Sequence, residues 1–196
     1  MDNMNFKKSI SKEEIATLPR EVFSGRIVVV NTNEELSDAL SYLSTCPEIG
    51  FDTETRPSFI KHIRNKMSLI QLSDKDTCFL IRLNKLNGIP RTLVSFLKNK
   101  EIIKIGLSLR DDFIGLPCLN NDSTEGFIDL QRFVPHFGIE DMSLQKIYAI
   151  LFGKRIPKSQ KKSNWDNVIL TEAQKRYAAL DAWSCLRIYQ YLKQSQ

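Results

Sequence analysis

The stretch Ile49-Gly50-Phe51-Asp52-Thr53-Glu54-Thr55 decides how the chain folds. Its apolar and β-branched residues read as a strand, and strand side chains alternate between faces. Gly50, Asp52 and Glu54 therefore share one face, and Phe51, Thr53 and Thr55 the other. Two carboxylates two positions apart project in parallel and suit a hard cation with oxygen ligands, whereas adjacent carboxylates point apart. An isolated Asp-x-Glu also describes a solvated strand edge, so its meaning depends on what else the chain holds.

Two further segments supply that company. Ile102-Ile103-Lys104-Ile105 reads as a short strand that stops at Gly106, a residue able to take a tight strand-to-helix turn. In the helix expected next, Leu109, Phe113 and Leu116 form an apolar stripe, and Asp112 falls on the same side. Asp111 is rotated about 100° away, which favours Asp112 as the third acid and leaves Asp111 as a helix N-terminal acid supported by the macrodipole. A long helix from Thr171 to about Gln194 is announced by Thr171 and Gln174, a capping-box pair. Ala173, Tyr177, Leu180, Ser184, Cys185, Ile188 and Leu192 mark its inward face, with Tyr177 and Asp181 one turn apart on it. Asp52, Glu54, Asp112 and Asp181 converging without a cation would repel one another and resist burial. The arrangement suggests a two-metal phosphodiesterase.

These segments, FDTET, GLSLRDDF and YAALDA in that order, resemble the three exonuclease motifs of the DEDDy group of 3′-to-5′ exonucleases on the ribonuclease H-like fold. The likeness is to the RNase D and Werner-syndrome exonuclease branch in particular, and Lys161-Lys162-Ser163-Asn164-Trp165-Asp166 is similar to that branch's approach to its third motif. It runs from about Ile27 to Leu192. The resemblance implies that Asp52 bridges two metals, that Glu54 and Asp181 complete the site of the nucleophile-activating one, and that Asp112 holds the second through water. It also implies that Tyr177 orients or helps deprotonate the attacking water. Two divalent cations, Mg²⁺ or Mn²⁺, match the all-oxygen donors, whereas zinc with cysteine does not. The expected reaction is hydrolysis at nucleic-acid 3′ ends, DNA or RNA, releasing nucleoside 5′-monophosphates. A catalytically silent nucleic-acid-binding module on the same fold is the alternative, although such a module would be expected to lose an acid. No GxGxxG or P-loop sequence supports a nucleotide-binding doubly wound sheet.

Composition sets outer bounds. The 196 residues, 42% hydrophobic and 26% charged, suit one folded domain with its own core. The net charge of +5 favours a polyanionic partner. Cys46, Cys78, Cys118 and Cys185 are widely spaced with two histidines available, which argues against structural zinc and for reduced thiols inside the cell. No apolar run reaches membrane-spanning length, and Met1 to Ser11 is too polar for a signal peptide. No obligate protein partner is evident.

The chain divides into an N-terminal arm, residues 1–25, and a domain over residues 26–196. A strand at Arg26–Val30, a helix from Asn33 capped by Thr32 or Asn33, and a hairpin turning at Asp74-Lys75 precede alternating strands and helices, among them helices over Ile89 to Lys98 and around Leu130 to Phe137. The result is an α/β protein with a ribonuclease H-like mixed sheet of five or six strands flanked by helices. Asp129 and Asp141 read as helix N-caps. For substrate, Lys158, Lys161 and Lys162 lie in the basic stretch Gly153–Ser163, which suits backbone phosphates or a merely solvated loop. Phe59, in the loop after the first motif, is placed to stack on a terminal base. RNase D carries extra helical domains after its exonuclease core and this chain ends soon after the third motif, so the expectation leans away from tRNA processing.

Overall fold

The computed structural model describes residues 6–58, 65–119, 124–160 and 162–195. Ser11 and Glu14 close a capping box that starts α1 (Lys12–Thr17). Then follow β1 (Arg26–Val30), α2 (Asn33–Leu43), β2 (Glu48–Thr55), β3 (Met67–Ser73), β4 (Thr77–Arg82) and α3 (Arg91–Lys98). After these come β5 (Ile103–Gly106), α4 (Leu109–Gly115), β6 (Phe127–Asp129), α5 (Leu130–Phe133), α6 (Leu144–Phe152) and α7 (Glu172–Lys193). Thr32 is the cap of α2, and the predicted Thr171–Gln174 capping box starts α7.

The six strands form one mixed sheet in the order β1-β4-β3-β2-β5-β6. β2, β3 and β4 are antiparallel neighbours, while β1 on β4, β5 on β2 and β6 on β5 are parallel. The expected β3–β4 hairpin turns through Asp74, whose carboxylate accepts the N–H groups of Asp76 at 2.8 Å and Thr77 at 2.6 Å. Every residue of β3 is buried, because helices cover the sheet on both faces. On one face Phe51, Ile70 and Ile81 pack with α2, α3 and the start of α4; on the other Leu69, Leu80 and Ile105 pack with α5, α6 and α7. α7 crosses β2, β3, β4 and β5 and is buried continuously from Tyr177 to Ala182. No helix among the described residues is long and apolar enough to cross a membrane.

Several boundaries differ from the sequence reading for local reasons. The helix expected from Ile89 starts at Arg91, since the residue before Pro90 is pushed out of the helical region. The helix expected over Leu130 to Phe137 becomes a short α-helix and a 3₁₀ turn carrying Pro135, which has no N–H for an α-helical ladder. Asp141 is not a cap: Ser143 caps α6, while Asp141 accepts the Ile10 N–H at 2.9 Å and pairs with Lys146 at 2.6 Å. Ala173 is exposed rather than inward. The described part of the arm packs on the domain, with Ile10 and Ile15 against Ala149. Glu21, nearly buried, takes Tyr148, Arg187 and Lys154.

Candidate active site

The site is built where β2 meets α7. A Cβ placed on Gly50 would lie 1.9 Å from the Ala182 carbonyl oxygen, so glycine is what lets the helix approach the strand this closely. Asp181, the neighbour of Ala182, is thereby brought to the Asp52 and Glu54 face. The three carboxylates each offer an oxygen within 4.8 Å of the others. The β2–β3 register shifts between Glu54 and Thr55, a strand-end irregularity of the kind that re-aims side chains beside sites. Tyr177 lies one turn before Asp181 on the same helix, close enough for that carboxylate to act on its phenol.

Asp112 arrives separately, on α4. The left-handed residue of the β5–α4 turn is Ser108, φ 62°, and not the expected Gly106. Gly106 is instead needed for packing, because a Cβ there would meet Leu109 at 2.4 Å and the Phe51 carbonyl oxygen at 3.0 Å. The start of α4 is held by Asp129, whose carboxylate accepts the N–H groups of Ser108 and Leu109, both at 3.0 Å, and of Gln131 at 2.9 Å. One side chain thus positions the first turns of α4 and α5 together. Asp112 is half-buried and accepts the Thr53 hydroxyl, while Asp111 is exposed, as the facing argument predicts. Asp112 lines the same cleft of about 470 Å³ as Asp52, Glu54, Asp181 and Tyr177 but stands outside the three-carboxylate cluster.

Charge is crowded here. Burial pushes Asp52 well above the usual carboxylate range, and the charges of Asp181, Asp112 and Glu54 act in the same direction. Burial likewise raises Asp112 to about 7, with Asp111 and Asp129 adding to the rise and the Thr53 hydrogen bond opposing it. The Tyr177 phenol is pushed up by burial and then by the acids around it, Asp181 first, so it keeps its proton. Cys185 also lines the cleft, and burial holds its thiol protonated. Clustered carboxylate oxygens among which Asp52 resists ionisation, beside a thiol that stays neutral, form an oxygen donor set suited to a hard divalent cation.

The cleft wall comes from the segment before α7. Trp165 is fully buried, 6.2 Å from the Tyr177 ring between centroids. Gln174 donates to the Ser163 hydroxyl at 2.7 Å and the Asn164 carbonyl at 3.0 Å, tying this segment to the first turn of α7. Of the basic loop, Lys158 lines the cleft and Lys162 is exposed away from its lining. Lys154 and Arg155 turn to the arm, onto Glu21 at 3.1 Å and the Leu18 carbonyl at 2.9 Å. Phe59 and Lys161 lie outside the described residues. The sequence reading gave no role to Thr53 or to the Gly50 contact; the Asp-x-Glu alternation marked both positions without showing what lies opposite them.

The sequence from residue 27 to 195 matches the family model described as 3′-5′ exonuclease. The mouse bifunctional 3′-5′ exonuclease/ATP-dependent helicase WRN is 33% identical over 89% of this chain, which spans 13% of that protein. The chain spans 13% to 39% of the length of the first curated relatives it matches. Among solved structures, the Aedes aegypti Nibbler EXO domain superposes with a TM-score of 0.79 at 26% identity, covering 89% of this chain and 92% of that one. Escherichia coli RNase D, at 22% identity and a TM-score of 0.75, shares the fold over 87% of this chain and 45% of its own.

Proposed function

The chain belongs to the 3′-5′ exonuclease family, and from that premise we propose that it hydrolyses the last phosphodiester bond of a nucleic-acid strand at a free 3′ end. The observation that carries this reading is the convergence of the Asp52, Glu54 and Asp181 carboxylates, with Asp112 and Tyr177 on the same cleft. Two divalent cations, Mg²⁺ or Mn²⁺, would be held by Asp52, Glu54, Asp181 and Asp112. When bound they supply Lewis acidity, which makes the attacking water more acidic and offsets charge on the displaced oxygen.

The protein's own groups do the positioning. Asp52, Glu54 and Asp181 present their oxygens from a strand and a helix locked together at Gly50, so the donors need little rearrangement. Tyr177 retains its proton and acts by orienting the attacking water, which favours orientation over deprotonation among the roles the resemblance allows. Water attacks phosphorus in line, the bond to the 3′ oxygen of the penultimate nucleotide breaks, and that oxygen takes up a proton. The products are a nucleoside 5′-monophosphate and a strand shortened by one. Lys158, on the cleft wall, would meet a backbone phosphate. Action inside the cell is supported by the four cysteines, all free thiols.

The deciding experiment incubates 5′-labelled single-stranded DNA, recessed duplex DNA and single-stranded RNA with Mg²⁺, Mn²⁺ or EDTA, beside Asp52→Asn. A metal-dependent ladder shortening from the 3′ end, absent in the variant, is expected. Equal shortening by Asp52→Asn would remove the assignment.

A further inference from the structure

The helical period sets Arg110 and Ile114 on the side of α4 opposite Asp112, so a second cleft, of about 710 Å³, lies across the α4 ridge from the catalytic one. Asp111, Asp112 and Gln131 line the catalytic cleft, while their chain neighbours Arg110 and Arg132 line this one. Both arginines are exposed, and neither has a hydrogen-bond or ion-pair partner among the described residues. Asp129 also borders the cleft, but its carboxylate already serves the three backbone N–H groups that start α4 and α5. Among the described residues the guanidinium groups are therefore left without a paired counter-charge. Their floor is apolar: Phe113 and Phe127 meet edge to face at 5.1 Å, and Ile114 is 55% exposed. Planar guanidinium forks match phosphate oxygens, and an apolar floor beside them accepts a sugar or base.

We propose that Arg110 and Arg132 form a non-catalytic subsite for an internal backbone phosphate of the strand whose 3′ end lies at Asp52 and Asp181, with Phe113 and Ile114 receiving the adjoining base. The inference rests on the exonuclease reading and deepens it. The ridge is one helix wide, about 10 Å, which a strand spans in about three nucleotides at roughly 3.4 Å each. A substrate must therefore exceed a dinucleotide to reach both clefts, and affinity should rise with length up to that point.

The test separates this subsite from the catalytic cleft. The doubly substituted Arg110→Ala/Arg132→Ala protein is compared with the parent on two substrates, a dinucleotide and a single strand long enough to cross the ridge. Binding of the long strand is read by fluorescence anisotropy against salt, in an Asp52→Asn background that holds the strand without shortening it. Expected are roughly tenfold weaker binding and a salt slope shallower by about 0.7, the value for one phosphate contact on a single strand. Dinucleotide hydrolysis should remain at the parent rate, and Arg110→Lys/Arg132→Lys should recover most of the salt slope. Unchanged long-strand binding and slope would overturn the subsite, as would an equal loss on the dinucleotide, which would place the effect in the catalytic cleft. Failure of the parent to hydrolyse either substrate would overturn the exonuclease reading first and this inference with it.

Discussion

The Thr53 hydroxyl donates to the Asp112 carboxylate, joining β2 to α4 across the rim of the cleft. Thr53 alternates with Asp52 and Glu54 along the strand, so one strand segment presents two carboxylates to one side and holds the second motif's acid from the other. This bond keeps Asp112 on the cleft wall and outside the three-carboxylate cluster.

Thr53→Val should release Asp112 and lower kcat by roughly 10- to 100-fold, the usual cost of losing an outer-shell partner. Thr53→Ser should restore most of the rate. A Val variant with parent kinetics would show that the hydroxyl has no part in placing Asp112.

Without metal, stability should fall as pH rises. Asp52 and Asp112 both bind protons more tightly in the folded protein than in the unfolded chain, so their contribution is complete below about pH 4. It is lost as pH rises through the folded value, about 7 for Asp112. Thermal unfolding in EDTA should show a lower Tm at pH 8 than at pH 5, with Mg²⁺ restoring it at pH 8. Asp52→Asn should flatten the slope and raise metal-free stability at pH 8 by about 1 kcal/mol. A metal-free Tm that rises over this range would contradict the crowding.

Tyr177→Phe should reduce kcat by roughly 10-fold with little change in KM, less than the ~10²–10⁴-fold expected for loss of a general base. Because the phenol holds its proton, the alkaline limb of the pH–rate profile should be the same in parent and variant. An alkaline limb that disappears in the variant would assign Tyr177 a titrating role.

Gly50→Ala should push α7 away from β2, since backbone rather than a flexible side chain meets the new methyl group. The expected cost is about 3 kcal/mol, the upper end for overpacking. Displacement of Asp181 should lower kcat by about 100-fold. Urea unfolding together with single-turnover kinetics would check both, and a fully active, equally stable variant would refute the close approach.

Glu21→Ala should destabilise by about 2 kcal/mol, below the usual cost of breaking a buried pair because Arg187 and Lys154 are partly solvated. The loss comes from leaving the buried Tyr148 hydroxyl without its carboxylate acceptor. Urea unfolding of Ala and Gln variants would measure it, with Gln the milder of the two.

Alternation along residues 49–55 identified β2 and its acidic face, and the 3.6-residue period placed Asp112 inward and Asp111 outward, as they are found. Caps behaved likewise where they act within three residues, as Thr32 with Glu35 and Thr171 with Gln174 do. Asp141 resembled these caps in sequence but was taken by Ile10 and Lys146, and the charges of Lys154 and Arg155 were turned to the arm. These partners are remote or compete with the local one, and no periodicity encodes a partner more than 100 residues away.

Spacing within a turn or a strand pair is enough to set most strands and helices and the faces on which the acids lie, and the order of the three motifs carries the family resemblance. Tertiary structure decided how near the acids come, through the Ala182 carbonyl that only a glycine at position 50 admits. It also decided that Thr53 holds Asp112, and that Arg110 and Arg132 face a different cleft from their neighbours. Those outcomes depend on the packing of whole elements, where a shift of one ångström changes which groups can touch.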